Sequence, residues 1–263
     1  MRTEYDTIFL GCSCYALGCA AQRPADSLIL EAGEGLGGEF TDALRCGPID
    51  RPTGPAEPFY QELLDRGIMT AESAASGRLT LPAVNLVLNR MALERGLHIL
   101  FHARVIAIRK VETAVAVEMV CNARIYTLRC RRVIDTRYTD TARIRALDAN
   151  ARFGLCAQLD APALPQDTMN GLRIQPMFLP GDAYACLPVP KPDPHDRETL
   201  LRAFEGREDC WLDAKLIRVA HAWAAESRPI REKTVWGWFI PASGFANPVQ
   251  AYALGLAEQE AMA

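Results

Sequence analysis

Only four histidines occur in the 263 residues, and none has a metal-ligand partner set beside it, so no metal centre is expected. No apolar run approaches the roughly 20 residues that a membrane-spanning helix needs. There is no basic tract either. Lys and Arg number 29 against 32 Asp and Glu, a formal charge of −3, which argues against nucleic acid or a membrane surface as partner. Met1 to Asp6 leads directly into a strand pattern and leaves no room for a signal peptide, so a cytoplasmic protein is expected. The nine cysteines are scattered, odd in number and without C-x-x-C spacing, which argues against a disulfide framework and for small buried side chains. Walker-type loops, H-E-x-x-H, nucleophile elbows and internal repeats are all missing.

What is present is concentrated in the first forty residues. An apolar run, Thr7-Ile8-Phe9-Leu10, meets Gly11-Cys12-Ser13-Cys14-Tyr15-Ala16, and a second run, Ser27 to Leu30, ends on Glu31. Strand, tight turn, helix, strand and a terminal acid form the layout of a dinucleotide-binding βαβ unit. In that layout the turn aims backbone N–H groups at a pyrophosphate, and the acid accepts hydrogen bonds from ribose hydroxyls. The glycine pattern is worn, because Ser13 and Ala16 stand where a second and third glycine belong.

Further along, residues 33 to 58 are rich in Gly and Pro and read as an ordered loop near a ligand. Phe59 to Arg66 reads as a short amphipathic helix, and Pro82 to Arg95 as a longer one that Gly96 terminates. Strand patterns follow at Leu97 to Phe101, Arg104 to Arg109, Ala114 to Cys121 and Arg124 to Cys130 in meander style, then separately at Arg132 to Asp135. From about 151 to 232 recurrent prolines separate short alternating runs, with a helix at Asp196 to Phe204. The spacing then predicts a strand over Thr234 to Ile240 and a helix from Pro248 to Met262.

Four segments in this order resemble the FAD-dependent oxidoreductases with a glutathione-reductase-like FAD domain: Gly11 to Glu31, Gly33 to Gly38, Pro82 to Thr136 and Ile240 to Gly255. The resemblance implies an α/β fold, with a Rossmann-like domain of central parallel sheet and β-meander plus a small, mainly antiparallel β cap. The domains would comprise 1–150 with 233–263, and 151–232. It implies FAD as cofactor, held by Gly11, Ser13, Ala16, Glu31, Ala32, Gly37, Gly38, Val105, Asp135, Thr136, Ser243, Gly244, Asn247 and Pro248. The activity it implies is transfer of a hydride or electron pair between a small organic substrate and flavin.

His221, in the region expected to face substrate, is the candidate acid–base residue, and Cys46 a candidate thiol near the flavin. Two departures stand out: Arg137 and Tyr138 are bulky where the family has small residues after the acid of Asp135. They favour a rival reading, a non-catalytic subunit that keeps the fold with weakened FAD binding and completes its site with a partner subunit or in a homo-oligomer. An NAD-linked Rossmann enzyme is disfavoured by the β-meander, where a doubly wound domain would continue with βα repeats.

Overall fold

A computed structural model describes residues 2–262; Met1 and Ala263 lie outside the described residues. In chain order the elements begin β1 (Glu4–Leu10), α1 (Cys14–Ala20), β2 (Ser27–Leu30), α2 (Gly38–Thr41), α3 (Glu57–Asp65), α4 (Ala71–Ala75) and α5 (Leu81–Glu94). They continue with β3 (Ile99–Leu100), β4 (Arg104–Val111), β5 (Ala114–Cys121), β6 (Arg124–Asp135), α6 (Thr141–Leu147), β7 (Arg152–Asp160) and β8 (Thr168–Met169). The rest are β9 (Leu172–Pro176), β10 (Asp182–Val189), α7 (Asp196–Glu205), β11 (Lys215–Val219), β12 (Ala224–Glu226), β13 (Glu232–Thr234), β14 (Gly237–Phe239) and α8 (Pro248–Leu256).

Two sheets organise the chain. The first has the order β13-β14-β6-β1-β2-β3, with β5 paired to β6 and β4 to β5. Its centre is parallel, β1 lying between β2 and β6. All of β2 and the last four residues of β1 are buried and, Thr7 and Ser27 apart, apolar, as expected of parallel strands covered on both faces. The second sheet, β11-β7-β10-β9-β8 with β12 beside β7, is antiparallel throughout. The chain is thus an α/β protein with a Rossmann-like parallel sheet, a β-meander and an antiparallel β region.

Three elements differ from the sequence pattern, each for a local reason. Arg124 to Asp135 is one strand and not two, because its pairing with β5 overlaps its pairing with β1 at Arg129 and Cys130, so the backbone never leaves a ladder. The strand expected over Thr234 to Ile240 is a tight hairpin, β13–β14. Gly237, at φ +145°, permits the turn, and a Cβ there would lie 2.0 Å from the Val133 carbonyl oxygen. The last helix stops at Leu256, after which Glu258 is held by Arg231, by the Tyr15 hydroxyl and by the Ala261 N–H. Burial pushes the Glu258 carboxyl up, but these donors outweigh it and hold the group at about 2.

Helices α1 and α8 cross backbone to backbone. A Cβ on Gly18 would sit 2.3 Å from the Tyr252 carbonyl oxygen, and one on Gly255 2.2 Å from that of Tyr15. Among the described residues no helix is long and apolar enough to cross a membrane.

Candidate functional site

A cleft of about 450 Å³ opens where the carboxyl ends of β1, β2 and β6 meet. In open parallel sheets this is where ligands bind. Gly11, at φ +87°, turns the chain out of β1, and its N–H donates to the Leu30 carbonyl at 2.9 Å. The Thr136 hydroxyl, at the end of β6, bonds the Leu10 and Gly11 carbonyl oxygens at 3.1 and 3.0 Å and ties the strand end to the turn. Glu31 is fixed by two backbone donors, Cys12 N–H on Oε2 and Gly33 N–H on Oε1, both at 2.7 Å. A carboxylate has about four acceptor positions, so a pinned Glu31 retains capacity for two hydroxyls.

Of the residues named from sequence, Gly11, Ser13, Glu31, Ala32, Gly38, Val105 and Thr136 line this cleft. Ser13 also caps α1, its Oγ accepting the Ala16 N–H at 3.0 Å, which is why serine fits here in place of glycine. Ala16 itself is fully buried behind the turn. Arg137 folds back on Asp135 in a bidentate pair at 2.8 and 2.7 Å, so its bulk does not block the cleft and Asp135 is engaged internally. Tyr138 behaves differently. Its hydroxyl reaches Gly38, where a Cβ would meet it at 3.0 Å, and the ring forms the far wall of the cleft.

Other named residues lie elsewhere. Gly37, at φ +66°, is required for packing, since a Cβ there would stand 2.7 Å from Leu88 Cδ1. Ser243 bonds Ser227 through their hydroxyls at 2.9 Å, and a Cβ on Gly244 would press on Pro229 Cα at 2.9 Å. Asn247 caps α8 by accepting the Gln250 N–H at 2.7 Å and donates to the Pro48 carbonyl at 2.6 Å; Pro248 is buried as the first residue of that helix. Gly47 N–H to the Ala246 carbonyl, at 2.7 Å, completes the seam. The closing segment therefore borders no part of this cleft, because the loop after α2 is hydrogen-bonded directly onto it; Gly244 instead lines a separate cavity of about 500 Å³ with Tyr15, Arg231 and Phe245.

Cys46 is buried in this seam, and burial pushes its thiol up to about 12, which is unsuited to thiolate chemistry at neutral pH. His221 is exposed, and its N–H donates to the Asp42 carbonyl at 3.0 Å, placing it at the cleft edge that Asp42 lines.

Two carboxylates escaped the sequence reading. Asp42 lines the cleft, and burial raises it. Glu39 is 2% exposed; its Oε1 accepts the Cys14 N–H at 2.8 Å, while Oε2 has no partner among the described residues. Burial pushes it up to about 7, outweighing the Cys14 bond. The Glu39 carboxyl thus occupies one of the amides that a diphosphate at this turn would seek. The only signal in sequence was an acid directly after Gly37-Gly38.

Against the FAD that the resemblance implies, the residues fit at the adenosine end: a cradle at Gly11, an anchored acid, and a strand edge at Ala103 to Val105. At the turn, Glu39 already holds the Cys14 amide that a diphosphate would seek, and the Tyr138 hydroxyl crowds the lining beside Gly38.

A second pocket of about 250 Å³ lies under the antiparallel sheet, lined by Arg45, Arg152, Arg173, Tyr184, Glu226 and the pair Cys156 and Cys186 among others. The Tyr184 hydroxyl and Arg45 Nε there have no partner among the described residues.

The fold is similar to that of BexE, a protein studied for oxidation during BE-7585A biosynthesis, with TM-score 0.62 and 16% identity over 96% of this chain and 60% of that one. It is similar also to glycine oxidase from Geobacillus kaustophilus, with TM-score 0.61 and 14% identity over 97% and 93%. A geranylgeranyl bacteriochlorophyll reductase-like protein from Thermoplasma acidophilum gives TM-score 0.60 and 13% identity over 96% and 76%. The chain spans 60% of the length of BexE. No curated protein matches the sequence. Residues 14–154, more than half of the chain, match the family described as FAD dependent oxidoreductase, so the chain belongs to that family and FAD is its cofactor.

Proposed function

We propose that the chain is an oxidoreductase that holds FAD by the adenosine half in the cleft at Gly11 and Glu31. It would exchange a hydride or electron pair with a small organic substrate. The observation that carries this reading is the anchored Glu31 carboxylate at the carboxyl end of β2, facing a cleft floored by the Gly11 turn. FAD supplies the redox chemistry when bound; the chain supplies binding, orientation and charge.

Three arginines and the unpartnered groups of Tyr184 and Arg45 suit the second pocket to a small polar, anionic substrate. In this reading 1–150 with 233–263 carry the cofactor and 151–232 the substrate, in the cytoplasm, and His221 is the acid–base candidate beside Asp42. The purified protein, supplied with FAD and desalted, is expected to retain stoichiometric absorbance in the flavin region. A colourless protein overturns the reading.

Tyr138 against Gly38, and the direct bonds of Gly47 to Ala246 and Asn247 to Pro48, favour a second reading. In it the chain is a non-catalytic subunit that keeps the adenosine site and lacks the flavin seat, working with a partner subunit or a second copy. ADP binding without FAD retention is its expected signature.

A further inference from the structure

Three adjacent strands of the antiparallel sheet place a row of reactive groups on one face. Cys156 on β7 stands directly opposite Cys186 on β10, and Cys186 directly opposite Arg173 on β9. Directly opposed residues of an antiparallel pair have Cα atoms about 4.5 or 5.5 Å apart, and both spacings fall within the roughly 4.4–6.8 Å that a disulfide accepts. As direct cross-strand partners, the two cysteines share one face of the sheet. Gly154, on the same strand face, makes room: a Cβ there would come within 2.6 Å of the Cys186 sulfur. Both cysteines line the second pocket, so they are reached through an opening flanked by Arg45, Arg152 and Arg173.

We propose that Cys156 and Cys186 form a reversible cross-strand disulfide by exchange with small anionic disulfides that enter the second pocket. The three arginines attract carboxylate-bearing molecules, with Glu226 the opposing charge among the lining residues. Cys186 is the attacking thiol. The neighbouring Cys156 side chain and the Arg173 charge lower it against burial, whereas Cys156 is raised by Cys186 and by its deeper burial. In the first step the Cys186 thiolate bonds one sulfur of the incoming disulfide and expels the other half as a thiolate. Cys156 then gives up its proton and attacks the Cys186 sulfur, and the second half leaves. Two protein thiols are oxidised, one small disulfide is reduced to two thiols, and the two protons pass to those thiols. No flavin takes part, so the exchange proceeds in a colourless protein as in a yellow one.

The test uses the full chain carrying Cys210→Ser, which removes the exposed thiol. After incubation with oxidised glutathione, free thiols are blocked in denaturant and the mass and unreduced peptides are measured. The expected result is loss of two hydrogen atoms, one linked peptide pair containing Cys156 and Cys186, and reversal by dithiothreitol. Cys156→Ser is expected to stop at a glutathione adduct on Cys186. If both cysteines of the treated protein carry the blocking group, or the adduct sits on other cysteines alone, the proposal fails. Loss of FAD retention with the linked peptides still found would sink the flavin reading and leave this one standing.

Discussion

The opening turn and the closing segment are the two places where small residues crowd together, and they do opposite things. At Gly11 an added Cβ would meet the Arg137 side chain first, at 3.1 Å, with a cleft beyond it. At Gly244 and Gly255 it would meet backbone at 2.9 and 2.2 Å, and at Gly47 a carbonyl oxygen at 3.1 Å, so main chain lies directly against main chain, although Gly244 also borders a separate cavity of about 500 Å³. In one region smallness leaves a cleft open at the strand ends, in the other it brings main chains together. Small size serves both needs equally, so only the position of the neighbouring backbone separates them.

That contrast yields a graded set of expectations. Gly255→Val forces a branched side chain into the α1 backbone and should cost about 4 kcal/mol or more, the range of severe overpacking. The expected result is a drop in Tm of roughly 10 °C or failure to fold; a melt within about 2 °C of the parent would show the crossing to be loose.

Glu39 comes next. Its carboxyl lies at about 7, above its ordinary 4.5, so the folded chain keeps a proton that the unfolded chain releases. Stability is therefore complete below the unfolded value and declines by about 3 kcal/mol as pH rises to neutrality. Denaturation curves across pH 4 to 8 should show this slope and Glu39→Gln should flatten it; the same slope in both proteins would assign it elsewhere.

Glu31→Ala should weaken FAD binding by roughly 1.5–3 kcal/mol, the worth of hydrogen bonds to a charged group. Fluorescence titration with FAD measures it, and an unchanged affinity removes Glu31 from the site. Asn247→Ala should remove a helix cap and the bond to the Pro48 carbonyl, about 2 kcal/mol by denaturant unfolding. FAD affinity should stay constant; a loss of affinity there would put the closing segment back at the cofactor.

Elements with a long apolar period were legible. Helices α5 and α7, the β4–β6 meander and the β1–β2 pair ending in Glu31 all carry it over enough residues to be read. Helices α2, α4 and α6 span at most seven residues, too few to establish an apolar stripe, and they were missed. In the site, the turn and Glu31 were readable because they are close in sequence and fixed in spacing. Glu39 was not, since its role depends on the Gly-rich loop folding back until a side chain from α2 touches the first amide of α1. The closing segment could not be read from small residues alone, because in the fold they also answer to α1 and to the Arg45–Pro48 loop.

The crossing of α1 with α8 also orders events during synthesis. The first helix leaves the ribosome long before the element that covers it exists, because α1 begins at Cys14 and α8 only at Pro248. Until α8 is made its apolar face is bare, so early intermediates of this chain should be natural clients for a holding chaperone.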